Sequence, residues 1–490
     1  MHVDRAGTTP ALIQGGMGVA VSSWQLARRV SALGHLGVVS GTALDVVLAR
    51  RLQQGDPGGE LRRAVQAFPD QAVARDVLKR YFVPGGNPST AAFQNIPMFA
   101  ANPARRLEAL ATVAGFAEVF LAKDGHHGLV GINFLEKVQL PTPAILYGAL
   151  LAGVDYVLVG AGIPRDFPAL LDSLTHHEPA RLPLHVTGAL PDDNFLLTFD
   201  PSRIMSTDGR APLRRPRFLA IVASATLAVS LARHGGRVDG FVVEGPAAGG
   251  HSAPPRGPQK LNEAGEPVYG ARDSVDLSRM REIGLPFWLA GACATPDGIT
   301  SARAQGAEGI QVGTLFAFCD ESGLEPSLRT RVLAQVGAGT ARVFTDPLAS
   351  PTGFPFKVVQ VEGTLSDPAV YAARERRCDL GYLRELYRRD DGTIGYRCGG
   401  EPVDDYLRKG GDHAHTVGRK CICNGLLGTI GLGQQRGDDV EPAILTAGAG
   451  LADVAALLDG RASYSAADVV TYLTSRSYER TNREASEAEC

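Results

Sequence analysis

The most constraining feature of this chain is a rhythm: short apolar runs that each stop at glycine or another small residue, with helical patterning between them. Eight runs read as strands: Ala11 to Gln14, Leu36 to Ser40, Leu129 to Phe134, Asp155 to Gly160, Arg217 to Ala223, Gly240 to Glu244, Pro286 to Ala290 and Gly309 to Gly313. Between them, Ser22 to Leu33, Ala225 to Gly235 and Pro296 to Gly306 carry apolar residues at helical spacing. Strands alternating with helices predict βα units and a parallel sheet, and eight of them with right-handed crossovers predict an α/β fold of the (β/α)8 TIM barrel class. An open doubly wound sheet is the competing topology, and the missing Gly-x-Gly-x-x-Gly after the first strand argues against it.

The run Val242-Val243-Glu244-Gly245-Pro246-Ala247-Ala248-Gly249-Gly250-His251 ends a strand in a small-residue turn that delivers one imidazole. Such a turn lets backbone approach a ligand closely. In a parallel barrel the C-terminal ends of the strands are where chemistry sits. His251 is therefore the candidate catalytic residue, expected to titrate near neutral pH. A contact to a cofactor phosphate, or a cap on the loop that follows, is the blander reading of it. Glu244 reads either as a partner for His251 or a cation, or as a buried structural carboxylate.

The 490 residues exceed one compact core, with Gly at 58 matching the many tight turns of an α/β fold. Three insertions interrupt the barrel expected over 9–344: a mostly helical 43–124, a hairpin-like 180–214, and a charged, glycine-rich 254–276 that reads as a lid. After the turn-rich stretch Asp346 to Pro355, the βα rhythm is gone; 345–478 is expected to be an accessory region and 479–490 a polar, disordered tail. Lysine plus arginine number 49 against 52 acidic residues, a net charge of −3, which points away from nucleic acid. No apolar run is long enough to cross a membrane and no leader pattern opens the chain, so a cytoplasmic location is the expectation. Cys378, Cys398, Cys421 and Cys423, with His413 and His415 near the last pair, could ligate zinc, but the spacing is irregular and buried free thiols are the preferred reading. Cys293 and Cys319 read as packing residues.

The strand ends Ile13-Gln14-Gly15-Gly16-Met17-Gly18, Gly131-Ile132-Asn133, Glu244 to His251, Ala290-Gly291-Ala292 and Gln311-Val312-Gly313-Thr314 resemble the nitronate monooxygenase (2-nitropropane dioxygenase) family, over most of Thr9 to Glu321. That family has an FMN-binding barrel and includes flavin-dependent enoyl-thioester reductases. The longer tail is similar to enoyl reductase subunits of polyunsaturated fatty acid synthases. The resemblance implies FMN, held by Gly15, Gly16, Met17, Gly18 and Asn133 at the ring and by Gly249, Gly250, Gly291, Ala292, Gly313 and Thr314 at the phosphate, with Ala290, Gln311, Glu244 and Ser224 also among the cofactor-binding residues. The residue types suit these places. Glycine exposes N–H groups, Asn133 offers a donor and an acceptor to an amide-like ring edge, and the helix start after the eighth strand adds positive potential. Ser224 doubles as a helix N-cap.

The leading function implied is oxidation of alkyl nitronates with O2. The alternative is NAD(P)H-dependent enoyl-thioester reduction, which would bring an acyl-carrier protein as partner. A third class is a non-catalytic module that binds a phosphorylated ligand. Many family members carry a histidine base at the end of strand five, where this chain reads Ala223-Ser224. The tail is left with three roles: closing the site, binding a carrier protein, or building a homodimer.

Overall fold

The computed structural model describes residues 9–88 and 90–475; the tail 479–490 lies outside the described residues. Eight parallel strands close into a barrel: β1 Leu12–Gln14, β2 Leu36–Ser40, β3 Val130–Leu135, β4 Tyr156–Gly160, β5 Arg217–Val222, β6 Gly240–Glu244, β7 Phe287–Ala290 and β8 Gly309–Val312. Each pairs with its neighbour in the chain, and β1 closes the ring against β8 through Leu12–Ile310, Ile13–Gln311 and Gln14–Val312. All eight runs read from the sequence are strands, shifted by a residue at several ends.

Two apolar layers hold this ring. Ile13, Leu36, Val38, Tyr156, Leu158, Leu219, Val242 and Trp288 fill the barrel interior. The alternate residues of the same strands, such as Leu12, Val39, Ile132, Val157, Ala220 and Phe241, face the surrounding helices. This is the period-two division of a strand buried on both faces. Trp288 is 1% exposed, and its Nε1–H donates to the Pro10 carbonyl at 2.6 Å, so the indole's one polar atom is satisfied inside the barrel. Gln14, also buried, bridges β1 to β2: its Oε1 accepts from Val38 N at 3.0 Å and its Nε2 donates to Val38 O at 3.2 Å.

After β2 the chain forms helices Leu44–Gln53, Glu60–Gln66, Gln71–Tyr81 and Arg105–Ala122 before returning to β3. The last of these docks through a buried carboxyl group. Glu118 Oε1 accepts from Trp24 N at 2.7 Å, satisfying a free donor in the first turn of helix Trp24–Ala32. Between β4 and β5, Ala180–Pro183 pairs antiparallel with Leu196–Phe199, the hairpin the sequence suggested.

Beyond the barrel, Val343–Asp346 pairs with Phe356–Val359, and Glu385–Arg388 pairs with Ile394–Arg397. Strand Glu385–Arg388 also takes Val186–Thr187 from the insertion after β4 as a parallel neighbour. The region after residue 345 is thereby stitched to the barrel's upper rim. Lys357 N–H donates to Gly250 O at 3.0 Å, Ser252 N–H to Pro355 O at 3.1 Å, and Ala449 N–H to Ala247 O at 2.9 Å. Among the described residues, no helix is long and apolar enough to cross a membrane.

Candidate active site

A cavity of about 230 Å³ opens at the C-terminal ends of the strands. Its walls include Gly15, Gly16, Met17 and Gly18 after β1, Asn133 on β3, Glu244, Gly249, Gly250 and His251 at and after β6, Ala290, Gly291 and Ala292 at β7, and Gln311, Gly313 and Thr314 at β8. Segments up to three hundred residues apart in the chain thus meet at one rim. Ser224 is the exception among the residues singled out from the sequence. It sits outside the cavity walls and caps helix Ala225–His234, its Oγ accepting from Leu227 N at 3.1 Å.

Two glycines show why small residues stand here. A Cβ on Gly16 would lie 2.3 Å from Asn133 Cβ, so the turn after β1 can meet β3 only without a side chain. At Gly313 a Cβ would meet only the Met17 side chain, at 3.5 Å, so the position is open and a larger residue would grow into the cavity. The loop after β6 is strapped in place. Gly250 N–H donates to Thr446 Oγ1 at 2.9 Å, and Lys357 Nζ donates to Pro246 O at 2.7 Å.

The electrostatics depart from the sequence expectation at His251. Its Nε2 is hydrogen-bonded to Ser350 Oγ at 2.7 Å, and its ring packs edge-on against Phe356 with centroids 4.8 Å apart. Enclosure, reinforced by the nearby Lys137, pushes its pKa down to about 3 instead of leaving it near neutral. The imidazole is neutral at physiological pH. Lys137 is itself displaced: its Nζ is buried without a hydrogen-bond partner over the Phe354 ring, and desolvation brings it to about 7. Glu244 moves the other way, pushed up to about 7 by removal from water, with Lys357 opposing the shift.

Thr314 Oγ1 accepts from Gly448 N at 2.8 Å, which leaves its own proton to donate. The helix it opens is one turn, Thr314–Ala317, too short to supply the positive potential expected there. None of the described cavity-lining residues is lysine or arginine, so a bound anion would be held by main-chain amides and hydroxyls.

Sequence reasoning missed one wall entirely. Tyr382, Leu383, Ile422, Cys423, Leu426, Thr446, Ala447, Gly448 and Asp453 line the same cavity from the C-terminal region. The small-residue stretch Thr446-Ala447-Gly448-Ala449-Gly450 was the available signal; for Tyr382 and Leu383 there was none. The region after residue 345 therefore does close the site. Segment 254–276, expected as the lid, contributes no cavity wall and packs outward, with Arg256 Nη2 donating to Ala223 O at 2.8 Å. Cys293, expected only to pack, also lines the cavity.

Cys378, Cys398, Cys421 and Cys423 converge on a separate small void, without His413 or His415. Among the described residues no group of three or more histidines, cysteines or acids is arranged to hold a metal ion.

Residues 217–345, which carry β5 to β8 and the loops that follow them, match the family described as nitronate monooxygenase. Over these residues, about a quarter of the chain, the sequence is similar to the nitronate monooxygenase family. It is a family of oxidoreductases, and the matched segment contains Glu244, His251, Gly291 and Gly313. Solved structures similar to the chain include FabK from Thermotoga maritima, at 14% identity and TM-score 0.46 over 98% of this chain and 96% of that one. The enoyl reductase domain of MlnA from Bacillus amyloliquefaciens is 13% identical, at TM-score 0.45 over 99% and 98%. Nitroalkane oxidase from Streptomyces ansochromogenes is 16% identical, at TM-score 0.40 over 95% and 94%. No curated protein sequence matches the chain.

The cavity fits FMN on two observations. Gln311 Oε1 is buried with no hydrogen-bond partner, an acceptor placed for the N–H of an imide ring edge. Gly250 and Gly313 leave a side-chain-free cradle with room where a Cβ would point, suited to a phosphorylated arm.

Proposed function

We propose that the chain is an FMN-dependent oxidoreductase that oxidises alkyl nitronates with O2. The observation that carries this reading is the convergence of the glycine-rich strand ends, the unpaired Gln311 acceptor and His251 on one cavity. The family match over β5 to β8 supports it. Gln311 and Asn133 would hold the ring. Main-chain amides of Gly249, Gly313 and Thr314, with the Thr314 and Thr446 hydroxyls, would hold the phosphate. FMN bound there would accept an electron pair and pass it on. His251 orients the nitronate, or removes the α-proton of the parent nitro compound to form it, while the wall from the C-terminal region excludes water.

A second reading is NAD(P)H-dependent reduction of enoyl thioesters, with an acyl-carrier protein delivering the substrate. It is favoured by the end of β5, where Ser224 is committed to a helix cap and no histidine base is present. The test is anaerobic. A nitronate should bleach the flavin band of the yellow protein under the first reading; NADPH or NADH should do so, with reoxidation by an enoyl thioester, under the second. Colourless protein that takes up no FMN would leave a phosphorylated-ligand module and overturn both.

A further inference from the structure

We propose that Thr352, Ser350 and His251 form a proton relay that carries one proton between solvent and the cavity. The inference rests on the reading above in one respect only: a proton leaves the α-carbon when a neutral nitro compound is converted to its nitronate, and one is added to the α-carbon when an enoyl thioester is reduced, so either substrate entering this cavity needs a proton path.

The links are in place. His251 Nε2 and Ser350 Oγ are 2.7 Å apart, and Ser350 Oγ and Thr352 Oγ1 are 2.9 Å apart. Thr352 N–H also donates to Ser350 Oγ at 3.3 Å. Ser350 is fully buried between the half-buried His251 at the cavity and the half-buried Thr352 beside the exposed Gly353, so the chain of groups runs from the cavity to the outer surface. The turn that carries them is braced. Arg419 Nη1 donates to the carbonyls of Leu348 and Ser350, each at 2.7 Å, and Asp346 Oδ1 accepts from Leu348 N at 2.8 Å and Ala349 N at 3.0 Å. His251 lines the cavity, and among the described residues its Nδ1 has no hydrogen-bond partner.

The environment makes such a device necessary. Enclosure and Lys137 disfavour the imidazolium, so His251 cannot store a proton as a charged acid near neutral pH. A neutral imidazole can still transfer a proton if one nitrogen gains what the other loses. Serine and threonine hydroxyls each donate and accept, so they can pass it on. With Nε2–H donating to Ser350 Oγ and Ser350 O–H to Thr352 Oγ1, Nδ1 presents a lone pair and acts as a base. In the opposite arrangement Thr352 O–H donates to Ser350, Ser350 O–H to Nε2, and Nδ1–H acts as an acid.

Delivery to substrate balances link by link. The Nδ1–H bond breaks as the carbon–hydrogen bond forms, and Ser350 O–H breaks as Nε2–H forms. Thr352 O–H breaks as Ser350 O–H forms, and water returns a proton to Thr352, leaving hydroxide to the solvent. Abstraction from substrate is the reverse, with the proton leaving to water.

The full chain, purified with its flavin, tests this with Ser350→Ala and Thr352→Val. Both should keep flavin content and KM, and Ser350→Ala should lose at least about 10-fold in kcat, because an acid–base step is cut off from its proton supply. The wild-type solvent isotope effect should report more than one proton in motion, and the Ser350→Ala effect only one. Thr352→Ser, which keeps the hydroxyl, should restore the rate lost in Thr352→Val. Nitrogen-15 NMR should find the wild-type His251 ring neutral at pH 7, with an Nε2 signal that moves in Ser350→Ala. This arm needs no turnover, so it decides the relay even if neither substrate is accepted. An unchanged kcat together with an unchanged Nε2 signal would overturn the proposal, as would a charged His251 in the wild type. If Ser350→Ala does not fold, the half-buried Thr352 pair of variants carries the same decision.

Discussion

Replacing Glu244 by glutamine should abolish one specific part of the pH dependence of stability. The carboxyl ends β6 at the cavity wall, and removal from water raises its pKa from 4.5 to about 7. At about 1.4 kcal/mol per pKa unit, that rise is a penalty of about 3 kcal/mol on the ionised form in the folded protein. The sign follows from proton linkage. The folded state binds this proton more tightly than the unfolded chain, so the penalty is absent below pH 4.5 and grows until the pH passes about 7. Urea unfolding of flavin-free protein, wild type against Glu244→Gln, isolates the carboxyl with its coupling to Lys357, because titrating groups that do not interact with Glu244 cancel. The glutamine variant should gain about 3 kcal/mol relative to wild type between the acid and alkaline ends of that window. A wild-type-minus-variant difference that stays flat with pH would refute the claim that this carboxyl is desolvated, and with it the enclosed character of the cavity at β6.

His251→Ala should keep FMN and lose on the order of 100-fold in turnover, measured by steady-state assay with flavin content as control; near-normal turnover would exclude His251 from the proton chemistry. Gly313→Val should leave thermal stability near wild type, since a Cβ there meets only the Met17 side chain at 3.5 Å, yet expel FMN by filling the cradle; unchanged flavin content would misplace the phosphate. Trp288→Ala should cost about 3–5 kcal/mol in denaturant unfolding, because it empties the barrel interior and removes the donor to Pro10 O; a cost under about 1 kcal/mol would mean the interior collapses to fill the space.

The barrel was legible because strand and helix signals are local. Runs such as Phe241-Val242-Val243 and Leu158-Val159-Gly160 announce buried parallel strands through composition and length, and the glycines mark where each stops. The rim residues followed from that reading, since a barrel of parallel strands has only one end where their C-termini gather. The errors came where the answer depends on neighbours distant in the chain. Ser224 is the local case: the helix cap preferred for it from the sequence holds, since its hydroxyl accepts from Leu227 N three residues on. Segment 254–276 has a lid's composition, but the space over the cavity is taken by 382–383, 422–426 and 446–453.

Local chemistry along the chain thus determined which stretches become strands, how many there are, and which small residues and which imidazole stand at their ends. Tertiary packing decided what those groups can do. The His251 pKa is held low by removal from water and then by the nearby Lys137, and its Nε2 has a hydroxyl partner because Ser350, 99 residues away in sequence, folds back to it. A strand is specified by the residues within it, whereas proton affinity is set by whatever charge, dielectric and hydrogen-bond partners surround a group in space, and those come from anywhere in the chain.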